Sequence, residues 1–157
     1  MINYQNLFHI GVRVPDIDAA MAELGSSMGV TWAELRENPA QTLWTPEHGM
    51  QHVQLKYTYS AEGPQHIELL EGPAGSFWDG SDDAGAHHVG VWVDSVADET
   101  AQLIASGWSL VGAHRDPGDG AGYGVFSYVA PPSGLIVELV DRAVQPHFEQ
   151  WWGAALG

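Results

Sequence analysis

The sequence predicts an α+β fold made of two tandem βαβββ modules that form a half-open, barrel-like cleft. Three observations predict it. The stretch "FHIGVRVPDIDAAMAEL", residues 8–24, returns as "HHVGVWVDSVADETAQL", residues 87–103, so the pattern H-[IV]-G-V-x-V occurs twice at an offset of 79 residues. "HIELLE" at 66–71 and "LIVELVD" at 135–141 form a second related pair, with Glu68 and Glu138 equivalent at an offset of 70. Each copy then reads as strand, helix and three strand-like runs. Self-similarity of this kind is the signature of duplicated architecture.

The elements follow in order. "NLFHIGVRV" is apolar and rich in β-formers, so it reads as a strand. Asp16 caps a helix that runs to about Ser27, with Ile17, Ala20, Met21 and Leu24 at helical spacing. Strand-like runs follow at about 30–37, 50–58 and 65–71. The Gly- and Asp-rich stretch "GPAGSFWDGSDDAG", residues 72–85, reads as the loop between modules. The second copy gives a strand at 87–93, a helix at 96–106 closed by Gly107, and strands near 108–114, 123–130 and 134–140. The modules span about 5–72 and 86–142 of a single domain, 1–157. The terminal "QPHFEQWWGAALG" reads as a short helix, about 146–155, that docks Phe148, Trp151 or Trp152 on the body.

Composition narrows the function. Of 157 residues, 45% are hydrophobic, enough for a real core. A net charge of −15 with only five Lys plus Arg excludes the cationic footprint that nucleic acid requires, and an anionic membrane surface would repel the chain. No apolar run reaches the ~18–20 residues that span a bilayer. No basic region followed by an apolar stretch opens the chain, so a cytoplasmic location is expected. The absence of cysteine removes disulfides, thiolate metal sites and cysteine nucleophiles.

Side chains alternate along a strand. Ile10, Val12 and Val14 share one face, as do Val89, Val91 and Val93, and these faces should pack on the helices. His9 and His88 then point the other way, beside Gly11 and Gly90, which leave room. Duplication thus supplies two equivalent histidines and two equivalent carboxylates. Burying two carboxylates together is costly unless something cationic pairs with them. Two imidazoles and two carboxylates suit Mn, Fe, Co, Ni or Zn and leave positions for water or substrate. Taken singly, each of these residues reads as a structural histidine or a solvated glutamate; the shared repeat favours the metal.

"FHIGVRVPD", "IELLEGP", "AHHVGVWVD" and "PPSGLIVELVD" resemble the vicinal oxygen chelate superfamily over nearly the whole chain, most of all its glyoxalase and methylmalonyl-CoA epimerase branches. The resemblance implies paired βαβββ modules around a divalent metal held by His9, Glu68, His88 and Glu138. It implies proton abstraction next to a carbonyl, with the metal acting as a Lewis acid on the developing enolate and Glu138 able to serve as base. The family's second base falls near His52 in "GMQHVQLKY". His52 is a departure from the family's Glu and reads either as a proton-transfer group near neutral pH or as a polar residue on a strand surface. A homodimer is common among such folds. The implied activity is a metal-dependent isomerase or lyase acting on a small carbonyl or acyl-thioester substrate, and the scarcity of basic residues favours an apolar one. The alternatives are an Fe(II) ring-cleaving dioxygenase, in which Glu68 is a surplus fourth ligand, and a small-molecule-binding resistance protein.

Other residues carry two readings each. His66 shares the Glu68 face, as a partner of the site or a substitute ligand. Trp92 shares the His88 face, as pocket wall or core filling. Arg13 takes the equivalent place after His9, to hold an anionic group or reach solvent. His87 faces away from His88 and reads as structural. "GDGAGYG" at 118–124 opens no helix, so phosphate-cradle logic fails and a hairpin loop remains.

Overall fold

The computed structural model describes residues 1–157. The order of elements is β1 (Leu7–Arg13), α1 (Ile17–Met28), β2 (Arg36–Thr45), β3 (Gly49–Tyr59), β4 (His66–Glu71), then β5 (Gly85–Val93), α2 (Val96–Ala105), β6 (Ser109–Ala113), β7 (Phe126–Ala130), β8 (Val137–Asp141) and a terminal α3 (Gln145–Ala154). This is βαβββ twice. Hydrogen bonding links the strands in the order β1-β4-β3-β2-β6-β7-β8-β5, a mixed sheet that curves into the barrel-like form the paired modules predict.

The chain divides into two compact units, and they are not quite the two repeats. One holds Phe8–Gln41, Val53–His87 and Pro146–Gly157; the other holds Met1–Leu7, Thr42–His52 and His88–Gln145. The end of β2 belongs with the second repeat because Trp44 pairs with Ala113 of β6. The terminal helix belongs with the first repeat because its rings pack on Phe8, Tyr59 and His66.

In the first unit, β1 pairs with β4 in parallel and β4 with β3 antiparallel. Asp16 caps α1 by accepting from the Ala19 N–H at 2.9 Å, and Gly29 ends it at φ 72°, a left-handed conformation that side chains resist. The apolar stripe of α1, Ile17, Ala20, Met21 and Leu24, packs with Val12, Val14 and Leu69, and Trp32 and Leu35 join the same cluster. Ile10 departs from the expected pattern and is exposed. The strand expected at 30–37 is largely extended coil tied to the end of β3, with the Ala33 N–H on the Tyr59 carbonyl. Its apolar residues are apolar because Trp32 and Leu35 lie in the α1 core. The real strand, β2, starts at Arg36, and its outer half is polar and mostly exposed, so it carries little hydrophobic signal.

In the second unit, β5 pairs with β8 in parallel, and β6, β7 and β8 form an antiparallel run. Ser95 caps α2 through the Asp98 N–H at 3.2 Å. The helix ends in a Schellman motif: the Gly107 N–H reaches the Ile104 carbonyl and the Trp108 N–H the Leu103 carbonyl. Val96 of the helix joins Val91, Val93, Val129, Val137 and Leu139 of the sheet in one core. Thr100 and Ser127, both fully buried, share a hydroxyl hydrogen bond of 2.7 Å that joins α2 to β7.

Candidate metal centre

Each repeat builds a half-site by the same register. In the first unit Gly11 of β1 lies opposite Glu68 of β4; in the second, Gly90 of β5 lies opposite Glu138 of β8. In each repeat the histidine two residues before that glycine meets the glutamate. His9 Nε2 stands 3.2 Å from Glu68 Oε2, and His88 Nε2 stands 3.4 Å from Glu138 Oε2. All four residues are buried, the most exposed at 8%. Their ligand-capable atoms lie within 4.8 Å of one another.

This donor set fits a divalent cation. Two carboxylates so enclosed repel each other and lose hydration, and a doubly charged ion offsets both costs. Imidazole nitrogen with carboxylate oxygen is the donor chemistry of Zn, Fe, Co, Ni and Mn.

The remaining expected residues are placed as follows. His66 is buried, donates from Nδ1 to the Ser60 carbonyl at 2.6 Å and stacks on Trp152 at 3.8 Å. Burial pushes its pKa below the ordinary value, which holds the ring neutral. Its contacts are those of a packed, backbone-tied ring. Trp92 is buried and, two pleats on from His88, lies opposite Val140. Arg13 is paired within the chain. Its guanidinium donates to the Phe77 carbonyl at 3.2 Å and to Asp83 Oδ2 at 2.6 Å, and so ties down the loop between the repeats. His52 is exposed. By alternation along β3 it shares the face of Gln54, Lys56 and Thr58, whereas Glu68 is met by Tyr59 from the other face. This placement accords with the second of its two readings, a polar residue on a strand surface. His87 packs edge-on to Phe77 at 4.9 Å. The 118–124 stretch begins in a single 3-10 turn, Pro117–Asp119, and continues as a loop of bends and turns.

Two neighbours of these residues lie outside the sequence expectations, one in each repeat. Tyr59 donates its hydroxyl to Glu68 Oε1 at 2.6 Å and sets its ring edge against His9, 5.4 Å between centroids. Tyr128 stands opposite Glu138 in β8 and meets His88 edge-on at 5.1 Å. The signal was present: the tyrosines precede the two glutamates by nine and ten residues, one hairpin back in each repeat.

The model of the glyoxalase/bleomycin resistance protein/dioxygenase superfamily matches residues 8–126. No curated protein matches the chain. Among solved structures, a hypothetical protein from Bacillus halodurans C-125 is similar at a TM-score of 0.65 and 20% identity, covering 87% of this chain and 93% of that one. Methylmalonyl-CoA epimerase from Mycobacterium tuberculosis gives a TM-score of 0.62 at 16% identity, with 94% and 96% covered. A Streptomyces coelicolor methylmalonyl-CoA epimerase variant in complex with 2-nitronate-propionyl-CoA gives 0.61 at 17%, with 91% and 99% covered. At these identities the likeness is one of fold.

Proposed function

Because the chain belongs to the glyoxalase/bleomycin resistance protein/dioxygenase superfamily, we propose that it is a divalent-metal-dependent isomerase or lyase that removes a proton from the carbon next to a carbonyl or thioester. The observation that carries this reading is the buried set of two histidines and two glutamates with ligand atoms within 4.8 Å. His9, Glu68, His88 and Glu138 are the ligands. The cation, when bound, supplies Lewis-acid stabilisation of charge developing on the substrate oxygen. Glu138 is the base: a carboxylate takes the substrate proton and returns it. With His52 turned to the other face of β3, no second base is assigned, and a one-base exchange at Glu138 is the minimal chemistry. Few basic residues are available to meet a phosphate-rich carrier, so the substrate is small and rather apolar. On the same reading it works in the cytoplasm as a homodimer, the assembly common among such folds.

The test is solvent-deuterium incorporation. Metal-loaded protein is incubated in D2O with a panel of short acyl-thioesters and apolar ketones. Label at the α-carbon that disappears with chelator and with Glu138→Gln supports the reading. Oxygen uptake with a catechol and Fe(II) would replace it by the ring-cleaving alternative, and tight binding of a panel compound without exchange by the sequestering one.

A further inference from the structure

Tyr59 is more than filling. Its hydroxyl lies 2.6 Å from Glu68 Oε1, a length typical of a hydroxyl donating to an ionised carboxylate, while His9 Nε2 faces the other oxygen, Oε2, at 3.2 Å. Tyr59 and Glu68 are direct register partners across β3 and β4, and both are buried. The ring is fixed from outside: Phe148, Trp151 and Trp152 of α3 pack on it with centroids 5.4, 5.5 and 5.8 Å away. The phenol is therefore aimed, and the carboxylate it meets has one oxygen occupied.

Resting on the metal reading above, we propose that Tyr59 is a positioning residue that makes Glu68 a one-oxygen ligand. By holding Oε1 it turns Oε2 to the cation, removes the chelating two-oxygen mode, and keeps one more coordination place open for substrate. A partner of this kind orients a ligand and sets its basicity, and its loss typically costs about 10- to 100-fold in metal affinity. A role in packing alone makes a different prediction, because phenylalanine fills the same space among the α3 rings.

The experiment titrates metal-free protein and Tyr59→Phe with Co(II) chloride, reading affinity by calorimetry and coordination by the visible absorption of the ion. Tyr59→Phe should bind Co(II) about 10- to 100-fold more weakly. Its visible band should also lose intensity as Glu68 chelates through both oxygens and the coordination number rises. Equal affinity and an identical spectrum in the two proteins overturn the proposal and leave the metal site standing. Failure of the parent protein to bind Co(II) at all overturns the metal reading, and this one with it. Should Tyr59→Phe not fold, 3-fluorotyrosine at position 59 keeps every packing contact and strengthens the donor. Tighter Co(II) binding then supports the proposal, and unchanged binding overturns it.

Discussion

Glu68 lies opposite Gly11 and Tyr59; Glu138 lies opposite Gly90 and Tyr128. Their histidines stand 3.2 and 3.4 Å away. In register the two half-sites are copies, and they differ in what supports them. The first is backed by a cluster of rings, with Phe8 against His9, Tyr59 against α3 and His66 stacked on Trp152. The second stands over an aliphatic valine-rich core, locked to its helix by the Thr100–Ser127 hydroxyl pair. The pieces that would touch a cation are repeated, while the pieces that hold them are built from different chemistry. That is what strand pairing allows: register fixes which side chains meet, and packing on the far face is free to vary.

The comparison can be broken from several directions. The largest effect is expected at the chemistry of the second half-site, where Glu138→Gln should lower α-proton exchange by about 10²- to 10⁴-fold, the usual range for loss of a positioned base. Exchange that survives this change would move the base elsewhere. Next is the aromatic support of the first half-site. Trp152 is 9% exposed and carries His66 on its face. Trp152→Ala should cost about 3–5 kcal/mol in denaturant unfolding, the range for deleting a large buried ring. A loss below 1 kcal/mol would show α3 to be a loosely attached tail.

The matching change in the second unit is Thr100→Val, which leaves the Ser127 hydroxyl buried without its partner and should cost about 1–3 kcal/mol. Equal stability of the two proteins would mean that the hydroxyl pair does not lock α2 to β7. Arg13→Ala sharpens the comparison by having little effect. Its ion pair with Asp83 reaches a largely exposed carboxylate, so the cost is about 1 kcal/mol or less, with metal binding and exchange unchanged. A large rise in KM would restore the anion-holding role that its contacts argue against.

The smallest effect is a pH dependence at His114 in the second unit. Burial, then the neighbouring Arg115, holds its pKa below the ordinary value near 6.5. The unfolded chain therefore takes up a proton first as pH falls. The stability that neutral His114 contributes is fully present above about 6.5 and is lost as pH drops toward its lowered folded value. Replacing His114 by Gln should flatten the unfolding free energy between pH 7 and 5, and an unchanged slope would assign that dependence to other groups.

The duplicated fold was legible because it is written in local signals: alternation in "HIGVRV" and "HHVGVWV", caps at Asp16 and Ser95, and glycines after the helices. The four candidate ligands were legible for the same reason, since strand parity and the repeat together select one face. What stayed hidden depends on the second strand of a pair. Tyr59 meets Glu68 only through the β3–β4 register, and the partners of Arg13 lie 64 and 70 residues away. His52 was placed by correspondence with a family position, and the alternation of β3 turned it outward. Residues 30–37 resembled a strand because they are buried under α1, and burial and strand share one composition.

The claim beneath all of this is that two half-sites hold one cation. Elemental analysis of the protein and of His9→Ala and His88→Ala, each purified without a metal-binding tag and equilibrated with Co(II), addresses it directly. The account predicts one ion per chain in the parent protein and its loss when either histidine is removed. Two ions per chain, or one that persists when either half-site is disabled, would contradict it.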